Sequence, residues 1–327
     1  MPVLVGGLGG GGDVGLAVVL AEDRGFKSRV SAVASFANCS SRHVPPGLRR
    51  VAGALYMVEE GADLGRRVFE DKLPRVVPWA RRVYIICAMD DWEAVVEGLE
   101  WLGSNHGVDC SLHADIGGDA LMTGMEEGMG SYLVDAVARA ALAYAAERLG
   151  WKSMIAVGAA GGEGGGGEIP LEDLAATLKY LEDSGAILGA LAPRRESLAL
   201  AWTLLQRAES GMLPLYLQAA SGARVARVNM AYLHGEYPVK PWYRYVLILD
   251  AQASCRASPL CTAAMGRGAR GVAGWSRRRA RGGLREYDRV RRVLARTGRA
   301  EEAIMGVFER ALRRADPTRA CWRGSQG

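Results

Sequence analysis

Acids and glycines concentrate in one stretch, Asp115-Ile-Gly-Gly-Asp-Ala-Leu-Met-Thr-Gly-Met-Glu-Glu-Gly-Met-Gly-Ser131. Asp115, Asp119, Glu126 and Glu127 alternate there with Gly117, Gly118, Gly124, Gly128 and Gly130. Carboxylates at a strand end are hard oxygen ligands for Mg²⁺ or Mn²⁺, or groups that move protons. Glycines let the backbone turn sharply and a ligand approach closely. The plain alternative is a surface turn with solvated acids, since turns favour Gly and Asp. A second glycine-rich segment, Gly6 to Asp13, follows the apolar run Val3 to Val5 and precedes a helical pattern, Val14 to Leu20. Strand, glycine loop and helix start is the layout that presents amides to a phosphate. Asp13 at that helix start either caps the helix or, because it would repel a phosphate, implies a cation between the two. A third segment, Gly158 to Glu168, repeats the strand-then-glycine layout.

These residues define an expected site. Asp13, Asp115, Asp119 and Glu126 are its metal ligands, for Mg²⁺ or Mn²⁺. Asp119 and Glu126 are its catalytic groups. Gly9, Gly10, Gly11 and Gly12, with Gly117 and Gly118, hold a phosphorylated small molecule or nucleotide. Two observations argue against an ordinary dinucleotide or P-loop site. G-x-G-x-x-G fits at Gly7/Gly9/Gly12 and again at Gly10/Gly12/Gly15, but a run this rich in glycine matches by chance. The second strand, Arg29 to Ala34, runs into Ser35-Phe36-Ala37-Asn38 with no acid for a ribose, and no Lys-Ser or Lys-Thr follows the loop.

The elements that must position these groups alternate along the chain. Strands are expected at Val3–Val5, Arg29–Ala34, Ala54–Val58, Val83–Ala88, Val108–Ala114, Met154–Val157, Ala186–Leu191 and Tyr245–Leu249. Helical patterns stand between most of them: Trp92 to Leu102, Ser131 to Leu149, Pro170 to Leu181 and Ser197 to Ala208. Residues 39 to 80 read as irregular, marked by Pro45-Pro46, Pro74 and Pro78. The alternation predicts an α/β fold, a three-layer sandwich around a mostly parallel sheet. Right-handed crossovers would then gather the strand-to-helix loops on one sheet edge. Asp13, Asp90, Asp115, Asp119, Glu126, Glu163, Glu168 and Asp250 are expected as neighbours there.

Composition narrows the function classes. At 327 residues, 49% hydrophobic and 24% charged, the chain is long and apolar enough for a sizeable core. No apolar run reaches the ~18–20 residues of a membrane span, and the N-terminus lacks a basic signal-peptide region; the expectation is a cytoplasmic protein. Cys39, Cys87, Cys110, Cys255, Cys261 and Cys321 form no C-x-x-C pair, and Cys87 and Cys110 sit in apolar runs where a thiol acts as a small hydrophobe. Only four histidines occur, far apart, so a metal would fall to carboxylates. Between Arg267 and Arg323, seventeen arginines face six acids, which confines the basic excess to the C-terminal end. Arg277-Arg-Arg-Ala-Arg281 reads as a mobile surface loop, followed by helices Leu284 to Arg296 and Glu301 to Arg314. Trp275, Tyr287 and Trp322 are too sparse for a single-strand groove, which argues against nucleic acid. The arginines are better read as solvated or paired across a homo-oligomer.

The motifs resemble an uncharacterised, mainly archaeal family, domain of unknown function 1152. Gly9-Gly-Gly-Gly-Asp13, then Asp115-x-Gly-Gly-Asp-x-Leu121 with Gly124-x-Glu126, Ser131 and Asp135, and finally Gly167-Glu168-Ile169 carry the resemblance. It covers roughly residues 1 to 250. Tyr132 and Gly166 depart from the pattern, where proline and aspartate are expected. The resemblance implies a Rossmann-like fold and no reaction. The chain accordingly divides into a Rossmann-like domain, 1–250, with two glycine-rich loops, and a basic, mainly helical region, 251–327, packed on it. The leading functional expectation is a Mg²⁺- or Mn²⁺-assisted enzyme acting on a phosphorylated small molecule or nucleotide. The alternatives are a non-catalytic nucleotide-binding or regulatory module and a metal-free, carboxylate-based lyase or cyclase.

Overall fold

The structure is a computed structural model that describes residues 1–126, 132–162, 169–230, 233–278 and 285–321. Its first half runs β1 (Val3–Gly7), α1 (Gly12–Asp23), β2 (Val30–Ala37), β3 (Leu48–Ala52), β4 (Leu55–Val58), α2 (Leu73–Val76), β5 (Val83–Cys87) and α3 (Trp92–His106). Then come β6 (Cys110–Ile116), α4 (Tyr132–Leu149), β7 (Lys152–Gly158), α5 (Leu171–Asp183), β8 (Ile187–Leu191), α6 (Ala199–Leu205) and α7 (Met212–Ala220). The rest is β9 (Val225–Met230), β10 (Leu233–Pro238), β11 (Val246–Asp250), α8 (Ala251–Ala257), α9 (Pro259–Ala264), α10 (Gly268–Arg278), α11 (Arg285–Thr297) and α12 (Ala300–Leu312).

Nine strands form one sheet in the order β3-β4-β5-β2-β1-β6-β7-β11-β8, and β9 and β10 form a separate hairpin. The centre, β5-β2-β1-β6-β7, is parallel. Every residue of β1, β5 and β6 is buried, in both side-chain parities. That pattern requires a cover on each face, and it is why β1 and β5 read as continuous apolar runs rather than alternating ones; in β6 the buried Ser111 and His113 are satisfied by Ser153 Oγ and the Ala34 carbonyl. Helix α1 packs on β1 and β6 together with α6 and α7, while α4 packs with α3, α8, α9 and α10. The fold is therefore the expected α/β sandwich with a mostly parallel sheet. No described helix is long and apolar enough to cross a membrane.

The chain leaves β1 toward β2 on one side, and β6 arrives on the other. This reversal opens a crevice beyond the C-terminal ends of β1 and β6, the usual ligand position in open α/β sheets. Several expectations change. Strand β11 pairs antiparallel with both β7 and β8, and Asp250 lies opposite Met154 at the start of β7. Asp250 therefore stands at the far edge of the sheet from the other acids, where its carboxylate accepts from Ala253 N and caps α8. Alternation of strands and helices along a sequence does not reveal a strand's direction, so the expected place of Asp250 beside the other acids does not hold. The 39–80 segment, read as irregular around the expected strand at Ala54–Val58, contains that strand as β4 and also β3 and α2, and the expected loop at Arg277 begins inside helix α10, which continues through Arg278. Residues 279 to 284, with the rest of the expected basic loop, lie outside the described residues.

All six cysteines pair, as Cys39–Cys87, Cys110–Cys321 and Cys255–Cys261, with Cα separations of 4.6, 5.6 and 5.2 Å. The thiols expected to act as small hydrophobes are half-cystines instead. Burial is common to both states, so apolar surroundings in the sequence do not separate them. Cys39–Cys87 joins the C-terminal ends of neighbouring strands β2 and β5. Cys110–Cys321 ties the C-terminal end of the described chain to the start of β6. The helices beyond residue 250 are continuous with the main core: α12 packs on β8 and α5, and α11 on α5.

Candidate functional site

Beyond β1 the chain must turn from strand to helix in very little space. Gly10 and Gly11 do so with φ of 79° and 59°, values that L side chains rarely adopt. Gly12 opens α1 for a different reason: a Cβ there would sit 2.2 Å from Ser210 Oγ. This glycine allows the segment before α7 to close against the loop. The result is a cleft of about 230 Å³ lined by Gly9 to Gly12, Asp13, Arg67, Asp115, Ile116, Asp135, Glu209, Ser210 and Met212.

Three carboxylates from three elements meet in it. Asp13 comes from the first turn of α1, Asp115 from the end of β6 and Asp135 from the first turn of α4. One oxygen of each lies within 4.8 Å of the others. Asp13 is held by two backbone amides, accepting from Gly9 N of the loop at 2.8 Å and from Ile116 N at the end of β6 at 3.0 Å. Asp115 accepts from Ala120 N at 3.1 Å. Asp135 is 5% exposed, and its Oδ1 is buried with no hydrogen-bond partner among the described residues.

The electrostatics follow from that crowding. Burial, then repulsion from Asp119, pushes the Asp115 carboxyl up to about 7, against the pull of the Ala120 and Gly118 amides and of Arg139. Asp135 is raised well above the usual carboxylate range by burial and then by Asp115, Asp119 and Asp13. Asp13 is raised by burial and by Asp115, in spite of its two amides. A fourth acid, Glu70, is buried beneath the loop, with Oε1 3.9 Å from where a Gly10 Cβ would stand, and burial raises it too. Such a set stays protonated, at a cost, or takes up a cation. Hard carboxylate oxygens on one side and an open cleft on the other suit Mg²⁺ or Mn²⁺, which keep positions for water and substrate oxygens.

The other expected residues have separate places. Asp119 opens the short 3-10 turn Asp119–Leu121; it is buried, and its charge bears on Asp115 and Asp135, but it is not one of the three clustered oxygens. Glu126 is fully buried and committed to its own loop. It accepts from Thr123 N, Gly124 N, Met125 N and Thr123 Oγ1, and from Thr177 Oγ1 at 2.5 Å. That geometry is a clamp on residues 123–126. Gly117 and Gly118 do not line the cleft: Gly117 N donates to Gly158 O and its carbonyl accepts from Gly161 N, which joins two loops. Asp90 binds Ser41 through its N and Oγ. Glu127, Glu163 and Glu168 lie outside the described residues.

Asp135 entered the sequence reading only through the resemblance. Its signal was available in the first turn of the helix that follows β6, because helix starts share the edge where strands end. Glu70 and Ser210 had none, since no periodicity marks their segments. A larger cavity, about 460 Å³, lies between α9 and α10, lined by Arg267, Arg270 and Trp275. It contains no carboxylate and is separate from this chemistry.

Comparison with known proteins adds a family and no reaction. A family model described as "Protein of unknown function (DUF1152)" matches residues 42–293. The match takes in Asp115 and Asp135, begins after Asp13, and runs beyond residue 250, where the motif resemblance fades. Neither the curated proteins nor the solved structures include a match to this chain.

Proposed function

The chain belongs to the DUF1152 family, and we propose that it is a Mg²⁺- or Mn²⁺-assisted enzyme acting on a phosphorylated small molecule or nucleotide in the β1–β6 crevice. The observation that carries this reading is the Asp13–Asp115–Asp135 cluster, whose Asp135 lines the cleft and has a buried Oδ1 with no hydrogen-bond partner among the described residues. Those three side chains would hold the ion, with Asp119 behind them. When bound, a divalent ion supplies charge neutralisation for a phosphoryl group and acidification of water. Gly9 to Gly12, at the start of α1, line the same cleft, and a helix N-terminus favours an anion by its dipole. Without a cation, the surrounding acids would repel that anion, so ion and phosphate are expected to bind together. The cleft, about 230 Å³, is smaller than the ~300–1,000 Å³ of typical small-molecule pockets. It fits a phosphoryl head group and its ion, leaving the rest of the ligand outside.

The test is Mn²⁺ titration followed by paramagnetic resonance, with and without pyrophosphate or ATP, then product analysis by phosphorus NMR. The expected result is Mn²⁺ binding that tightens with the phosphorylated ligand and is weakened by Gly11→Val. Absence of Mn²⁺ binding at millimolar concentration would remove the reading. Binding without turnover of any phosphorylated ligand would favour the regulatory module. One observation favours a metal-free lyase or cyclase: Asp115, held near 7, has the basicity of a general base at neutral pH. Turnover that persists in EDTA would select it.

A further inference from the structure

Arg139 is among the largest fully buried side chains of the protein, at 0% exposure. It stands one turn beyond Asp135 on α4, at the i+4 spacing that places two side chains on one helix face. Its Nη1 donates to Met122 O at 2.8 Å and its Nη2 to Ser254 O at 3.1 Å. Its Nε has no hydrogen-bond partner among the described residues. A buried guanidinium is costly unless an opposite charge compensates it. Here the hydrogen-bond partners are neutral carbonyls, and the compensating charges are Glu126, Asp135 and Asp115, acting through space. Burial lowers Arg139 to about 10, which leaves it cationic at neutral pH. Two of the three acids it balances are those of the cleft.

Building on the cation-site reading above, we infer that Arg139 is a resident counter-cation of Asp115 and Asp135 within the carboxylate cluster, a fixed positive charge that sets how strongly the site takes an ion and limits the ion's charge. An incoming cation gains from three carboxylates and works against one guanidinium. That opposition grows with the charge of the ion, because Coulomb energy is proportional to it. Arg139 thus moderates affinity and disfavours trivalent ions relative to divalent ones. It acts through the carboxylates and not on any ligand, so it is a positioning and tuning residue.

The experiment measures Mn²⁺ affinity by paramagnetic resonance and Tb³⁺ affinity by luminescence, on full-length wild type, Arg139→Met and Arg139→Lys. Arg139→Met is expected to tighten Mn²⁺ about tenfold and Tb³⁺ about thirtyfold, from the ~1–3 log units that a neighbouring charge contributes and its scaling with ion charge. Arg139→Lys keeps the charge and is expected to stay within about threefold of wild type for both ions. A merely structural arginine would give another pattern: weaker binding of both ions by one common factor, or equal responses in Met and Lys variants. Either result overturns the inference. Should Arg139→Met fail to fold, Arg139→Gln carries the same comparison, since its neutral amide can still donate to the Met122 carbonyl. Wild type that binds neither ion overturns the cation site and this inference together. Wild type that binds both, with affinities indifferent to Arg139, overturns this inference alone.

Discussion

Replacing Asp135 by asparagine should stabilise the cation-free protein and abolish most of its response to Mn²⁺. The side chain keeps its size and loses its charge. Asp135 has two carboxylate neighbours, Asp13 and Asp115, with oxygens within 4.8 Å. At an effective dielectric constant of about 20, one such charged pair costs about 3.5 kcal/mol. Protonation relieves part of the repulsion, and the sign of the pH dependence follows. The folded protein holds Asp115 near 7, against 3.8 for a free aspartate side chain. Between those values the folded state binds more protons than the unfolded state, so stability falls as pH rises toward 7. For Asp115 alone the fall amounts to about 4 kcal/mol, fully developed above neutrality. The benefit of Asp135→Asn should therefore be small at pH 4 and reach about 3–4 kcal/mol at pH 8 in EDTA. For 327 residues, an unfolding entropy of about 2.1 cal/mol/K per residue converts this to a rise in Tm of about 5 °C. Mn²⁺ at 100 times its Kd should raise the wild-type Tm by about 4 °C, and the variant much less. Differential scanning fluorimetry at pH 4 to 8, with EDTA or Mn²⁺, reads both effects. A lower Tm for Asp135→Asn in EDTA at pH 8, or an undiminished Mn²⁺ shift, would refute the reasoning.

Glu126→Ala should destabilise the fold by at least about 4 kcal/mol, because it strips three amides and two threonine hydroxyls of a buried acceptor; urea unfolding checks this, and a stable variant with lost ligand binding would return Glu126 to the site. The Cys39→Ser/Cys87→Ser pair should cost about 4 kcal/mol by loop entropy, given a sequence separation of 48, and thiol titration of the unfolded, unreduced wild type should find no free cysteine. Gly11→Ala should lose about 1–3 kcal/mol to backbone strain, since Gly11 holds φ 59°, whereas Gly61→Ala, with positive φ but open space around it, should show strain of similar size and no change in Mn²⁺ affinity.

Much of this protein was decided locally. Val3 to Val5 and Val83 to Cys87 are apolar in both parities, which requires a strand covered on both faces wherever it is placed; in Cys110 to Ala114 the polar Ser111 and His113 alternate with apolar residues, and only the sheet, through Ser153 and the Ala34 carbonyl, buries that second face. The glycine run before Asp13 forces a tight strand-to-helix turn, and alternation of strands with helices makes parallel pairing the simplest topology. Asp13 and Asp115 could be placed on one edge for that reason. Tertiary structure decided which acids actually meet. Asp135 joins them because α4 begins at the same edge, where Asp135 lines the cleft and its oxygen clusters with theirs. Glu126, close to Asp115 in sequence, turns inward because Thr123, Thr177 and three amides offer it donors that no linear pattern displays. Asp250 is carried to the opposite edge by an antiparallel strand. The six cysteines find their partners across separations from 6 to 211 residues, distances over which spacing holds no information. Strand, helix and turn follow from neighbours along the chain, but a site is made of contacts between distant residues, and those exist only once the sheet order is set.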